Sequence, residues 1–140
     1  MNTQQSRLSV VERLQVAMNH HDLEAFLDCF DPNYHSEQPA HPLRTFSGSE
    51  QVHKNWSQVF SSIPDFQADL LRFTVEADTE WSEWQWQGTQ DGGTRLNMRG
   101  VMILGIQDGR IQWGRLYMEQ VEEESGDINA KVADMTKRST

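Results

Sequence analysis

Asp108-Gly109 stands between two hydrophobic runs, in NMRGVMILGIQDGRIQWGRLYMEQV (97–121), and constrains this chain more than any other pair of residues. A tight hairpin turn of type I′ needs positive φ at both central positions, which Asp-Gly supplies, so two long antiparallel strands are expected. A two-residue turn sets the pairing: Ile106 opposite Ile111, Leu104 opposite Trp113, Met102 opposite Arg115, Gly100 opposite Tyr117 and Met98 opposite Glu119. Directly opposed residues share a face. One face then runs from apolar near the turn to Arg, Tyr and Glu further along, as expected of a pocket wall. Gly100 would leave room for the Tyr117 ring.

Upstream, helical spacing covers about Ser9 to Met18, with Val11, Leu14, Ala17 and Met18 on one side. Asn19-His20-His21 interrupts it, with both histidines expected to face solvent. Asp22 is placed to cap a second helix carrying Leu23, Phe26, Leu27 and Phe30. Asp31-Pro32-Asn33 ends that helix, and Tyr34 to Gln38 reads as a short extended segment before a loop. Ser47-Gly48-Ser49-Glu50 has capping-box spacing. The helix after it shows Val52, Trp56, Val59, Phe60 and Ile63 on one stripe and stops at Pro64. Strands follow over about Phe66–Glu76, Glu80–Thr89, Arg95–Ile106 and Arg110–Glu122. Residues 1–8 are expected to be a flexible start, 9–122 one domain and 123–140 a mobile polar tail. Helices first and long strands afterwards predict an α+β roll, with N-terminal helices packed on a strongly curved antiparallel sheet that encloses a pocket.

With 140 residues and a formal net charge of −9, the chain lacks the basic balance that nucleic acid or an anionic membrane would need. No apolar run approaches the roughly 20 residues that span a bilayer. The single cysteine, Cys29, permits no internal disulfide and reads as a small buried hydrophobe. A cytoplasmic protein is the expectation. His35, Glu37, His41 and His53 fit no metal spacing, and no phosphate-binding loop or nucleophile elbow occurs, so neither metal nor cofactor is expected.

The segments HHDLEAFLDCFDPNYHSEQP and GVMILGIQDGRIQWGRLYME, with the helix ending at Ile63-Pro64-Asp65, resemble the nuclear transport factor 2-like superfamily, and within it the SnoaL-like group, over about residues 8–122. That resemblance implies a cone-shaped fold that hosts isomerases, dehydratases, epoxide hydrolases, polyketide cyclases and non-catalytic binding domains. It puts Glu119 where several of these enzymes have a catalytic Asp, at the end of R-x-Y-x-D. Where ketosteroid isomerase-like members have a base Asp before Pro, this chain has Gln38 before Pro39, with Glu37 adjacent but pointing the other way. Trp81 to Trp86 lacks the Arg of the epoxide hydrolase pattern. Neither of those two reactions is expected.

An even-length turn within Asp91–Gly93 would put Trp81, Glu83 and Gln85 on the wall with Trp113, Arg115, Tyr117 and Glu119. His35 and Glu37 would join the mouth, and Trp56 and Phe60 the apolar lining. Two functions stay open. In the first, a small-molecule enzyme acts on a hydrophobic, oxygen-bearing compound, Glu119 or Glu83 serving as acid/base in an apolar pocket and Tyr117, Arg115 or His35 stabilising an oxyanion. Isomerisation, dehydration and cyclisation fit. In the second, Arg115 neutralises the carboxylates and the domain binds a ligand or partner without catalysis. The opposite face would carry Trp84, Trp86, Val101, Ile103, Leu116 and Met118, too apolar to stay wet, which predicts a homodimer packed sheet to sheet.

Overall fold

The structure, a computed structural model, describes residues 8–124 and 126–137. Helix α1 (Val10–Asn19) starts at Ser9, whose side chain accepts from the Glu12 N–H while Glu12 reaches back to the Ser9 N–H. This reciprocal box satisfies two of the N–H groups that any helix start leaves free. Helix α2 (Leu23–Asp28) is capped by Asp22 as its sequence predicts. Strand β1 (Phe30–Glu37) follows directly, and a 3-10 turn at Pro42–Arg44 leads to the short β2 (Phe46–Ser47). Helix α3 (Ser49–Ser62) then crosses the sheet, which is completed by β3 (Gln67–Glu76), β4 (Thr79–Thr89), β5 (Arg95–Gln107) and β6 (Arg110–Gln120). The six strands run β2-β1-β6-β5-β4-β3, all neighbours antiparallel except β1 with β6, which are parallel. The helices lie on one face of this curved, unclosed sheet. The flexible start expected at residues 1–8 falls almost entirely outside the described residues. In the polar tail, Asp127 caps a helix α4 (Ile128–Met135) with no buried residue.

Asp108 and Gly109 both have positive φ, at 52° and 74°, so the hairpin turn forms as the dipeptide demands. Beyond it the register departs from expectation. Ile106 pairs with Ile111, but Gly105 pairs with Trp113, leaving Gln112 as an extra residue on β6. Such a bulge turns every later side chain to the other face. Trp113, Arg115, Tyr117 and Glu119 therefore point away from the helices. On the other hairpin, Thr89 pairs with Arg95, so the connection is the odd-numbered stretch 90–94 and Trp86, not Gln85, stands opposite Met98. Trp81, Glu83 and Gln85 are turned outward too. The β4 and β6 residues expected on the wall share the outer face, while Met98, Gly100, Met102 and Leu104 of β5, expected beside them, stay on the inner one.

The expected dimer face is corrected by the same two shifts. Trp84 is fully buried, Trp86 and Met118 are buried and Leu116 packs against the core, while Val101 and Ile103 point outward. Trp84 lies on the core with its indole N–H donating to the Ser82 hydroxyl at 2.8 Å, and Ser82 donates to the Met102 carbonyl. A tryptophan so placed contributes about 3–5 kcal/mol relative to alanine. Gly100 is required for a reason other than the Tyr117 ring: a Cβ there would sit 1.9 Å from the Tyr117 carbonyl oxygen. His21 does not face solvent. Its ring stacks on Phe60 at 4.9 Å and bonds the Phe66 carbonyl.

Candidate functional site

The outer face of the sheet gathers most of the chemistry that the sequence singles out. Parallel pairing sets His35 beside Trp113 and Glu37 beside Arg115. A cavity of about 690 Å³ lies over these residues, walled also by Trp81 and Ile103. The Trp113 indole lies over Gly105, where a Cβ would come within 1.9 Å of its Nε1. Glu37, Glu83, Gln85 and Glu119 on this face are partnered. Glu37 accepts from His35 at 3.1 Å and lies 3.6 Å from Arg115. Glu83 pairs with Arg72 at 2.9 Å, and Glu119 meets His41 at 2.6 Å across the β1–β2 connection. The Gln85 amide bridges Arg99 and Asn97. Tyr117 is 38% exposed. Glu119 is not sunk in an apolar pocket, and its partner is a histidine that the sequence did not connect with it.

The inner face holds a packed aromatic cluster. Trp56 and Phe60 from α3 meet Phe26, Phe66 and Trp86, with Trp56 edge-on to Trp86 at 5.4 Å. Half-buried Trp56, Val59 and Phe60 from α3 and Leu96 and Met98 from β5 border it. The buried carboxylate of this face, Glu80, is engaged: its two oxygens accept the first N–H groups of α1, from Val10 and Val11. A carboxylate at a helix N-terminus is held there by both the free donors and the helix dipole. Tyr34 is buried beside Ser36, and burial pushes its phenol above the ordinary range. Burial likewise pushes the Cys29 thiol up to about 11, which keeps it protonated and unreactive. Among the described residues, the Trp86 indole N–H is the buried side-chain donor without an acceptor. Sequence reasoning placed Trp86 on a dimer face, and only the parity of one loop would have moved it inside.

A mixed sheet curled over helices, with an aromatic interior, defines the α+β cone class. A family model described as the SnoaL-like domain matches residues 11–113, and the chain belongs to that family. The fold is shared with TsrD from Streptomyces laurentii, at TM-score 0.69 and 20% identity, covering 85% of this chain and 91% of that one. It is shared with RV0760c from Mycobacterium tuberculosis, solved with estradiol-17beta-hemisuccinate, at TM-score 0.67 and 17% identity over 77% and 89% of the two chains. An epoxide hydrolase of the LEH-like kind from M. tuberculosis aligns at TM-score 0.68 and 14% identity over 79% and 80%. No curated protein matches the sequence significantly. Among the described residues no helix is long and apolar enough to cross a membrane.

Proposed function

We propose that this chain binds a hydrophobic, oxygen-bearing small molecule by admitting it to the aromatic cluster between α3 and the sheet. The Trp86 indole N–H carries this reading. Buried donors in folded proteins almost always find an acceptor, and leaving one unmade costs about 1–3 kcal/mol. A ligand carbonyl, ester or hydroxyl oxygen would relieve that cost while Trp56, Phe60 and Met98 cover its apolar body. The steroid ester bound by RV0760c has this chemistry. Binding without turnover is favoured over acid/base isomerase, dehydratase or cyclase chemistry, because half-buried Glu83 and exposed Glu119 are paired and Glu80 is committed to α1. The test is a thermal-shift panel of steroids, apolar ketones and terpenoids. A ligand at 100 times its dissociation constant should add about 2.7 kcal/mol of stability. Trp86→Phe should fold as well as the parent chain and lose most of that gain. A gain undiminished in Trp86→Phe would contradict the reading.

The outer face supports a second element, a sheet-to-sheet homodimer on a different residue set from the one the sequence suggested. Tyr117 is 38% exposed and stands opposite Val101 across the β5–β6 pair, an apolar strip beside, and not part of, the cavity walled by Trp81, Ile103 and Trp113. The ion pairs Arg72–Glu83 and Arg115–Glu37 supply charged groups of both signs on the same face, the polar surround that an interface strip has. Sedimentation at micromolar concentration should give a dimer that Val101→Glu converts to monomer. A monomeric parent chain would exclude it.

A further inference from the structure

Ser47 breaks a local rule. Its spacing to Glu50 suits it to cap α3, yet the cap position is taken by Gly48, at φ 98°, and no side chain caps the helix. The Ser47 hydroxyl lies instead 2.8 Å from His35 Nδ1, directly across the β1–β2 pair. His35 Nε2 lies 3.1 Å from Glu37 Oε1. A carboxylate only accepts, so Nε2 carries the imidazole proton and Nδ1 presents its lone pair to the Ser47 hydroxyl. The Arg115 guanidinium stands 3.6 Å from the other Glu37 oxygen and holds that carboxylate in place. Side chains that forgo a structural role for a polar network mark functional sites.

We infer that Ser47, His35 and Glu37 form a nucleophile–base–orienter set that cleaves carboxylic esters. The outer cavity, walled by Trp81, Ile103 and Trp113 and lined by His35 itself, would hold an apolar or aromatic ester group. Ser47 Oγ bonds to the acyl carbon as its proton passes to His35 Nδ1. The C–O bond to the alcohol then breaks, and the alcohol leaves with that proton. Water, deprotonated by His35, attacks the acyl-Ser47 and releases the acid, returning the proton to the serine. Glu37 is a positioning residue: it fixes the tautomer and balances the transient imidazolium. This activity is independent of ligand binding at the inner aromatic cluster.

The experiment treats the full chain with a fluorophosphonate probe and locates the adduct by peptide mass spectrometry, alongside hydrolysis of p-nitrophenyl butyrate. Ser47 should be labelled in the parent chain. Ester turnover should fall at least about a hundredfold in Ser47→Ala and in His35→Gln. Glu37→Asp should keep more of kcat than Glu37→Gln, with KM unchanged in both. Absence of label on Ser47 in the folded parent chain overturns the proposal without any variant. So does turnover that Ser47→Ala leaves intact.

Discussion

Single side chains decide where this protein can do chemistry. Trp84 and Trp86 share a face, yet one indole N–H is satisfied by Ser82 and the other is left open. Ser47 and Ser9 both stand at helix starts, yet only Ser9 caps. Neither contrast is visible in residue type, because each depends on which polar atom lies across a strand or a loop. Cys29 shows how burial becomes a pH dependence. Its thiol is pushed up from 9.0 to about 11, so the folded state holds the proton more tightly than the unfolded chain does. The resulting stabilisation is complete below pH 9 and is lost as the pH rises through about 11. It amounts to something on the order of 2 kcal/mol. Urea midpoints measured at pH 8 and pH 10.5 should drop in the parent chain and drop less in Cys29→Ala. Tyr34 shifts in the same direction and is common to both, so the difference isolates the thiol.

Whole elements were largely legible. The capping box at Ser9-Glu12, the Asp22 cap, the Asp-Gly turn and the apolar stripe ending at Pro64 each carry a mechanism in their residue types, and all of those helices and strands form. What the pattern could not give was the face. WSEWQW has tryptophans at both parities, so alternation alone leaves the choice between Trp81 and Trp84 open. An extra residue at Gln112 has no compositional mark. The odd connection at 90–94 and the bulge each invert a strand, and together they turned the expected wall residues of β4 and β6 to the outer face as a pair. Gln112 therefore holds the core in register. Deleting it should restore simple pairing from the turn, drive Trp113, Arg115 and Tyr117 toward the helices and expel Met118. We expect loss of the cooperative melt. A Gln112 deletion that melts like the parent chain would show that the bulge is dispensable.

The molecule as a whole uses its two sheet faces differently. The inner face packs aromatic groups and, among the described residues, leaves the buried Trp86 N–H unpaired. The outer face spreads indoles among paired ions and carries the Ser47-His35-Glu37 set at its β1–β2 edge. Membership of the SnoaL-like family fixes the architecture without choosing between these faces, because the fold is a scaffold and the site is made by individual side chains. The decisive measurement is the proton–nitrogen correlation spectrum of the five tryptophan indoles during titration with an apolar steroid ketone. The Trp86 signal is identified by its loss in Trp86→Phe. Binding at the inner aromatic cluster predicts a saturable downfield shift of Trp86, with the Trp84 signal, already bonded to Ser82, and those of Trp81 and Trp113 nearly still. Movement of Trp81 and Trp113 with Trp86 unchanged would contradict it and transfer the ligand to the outer face.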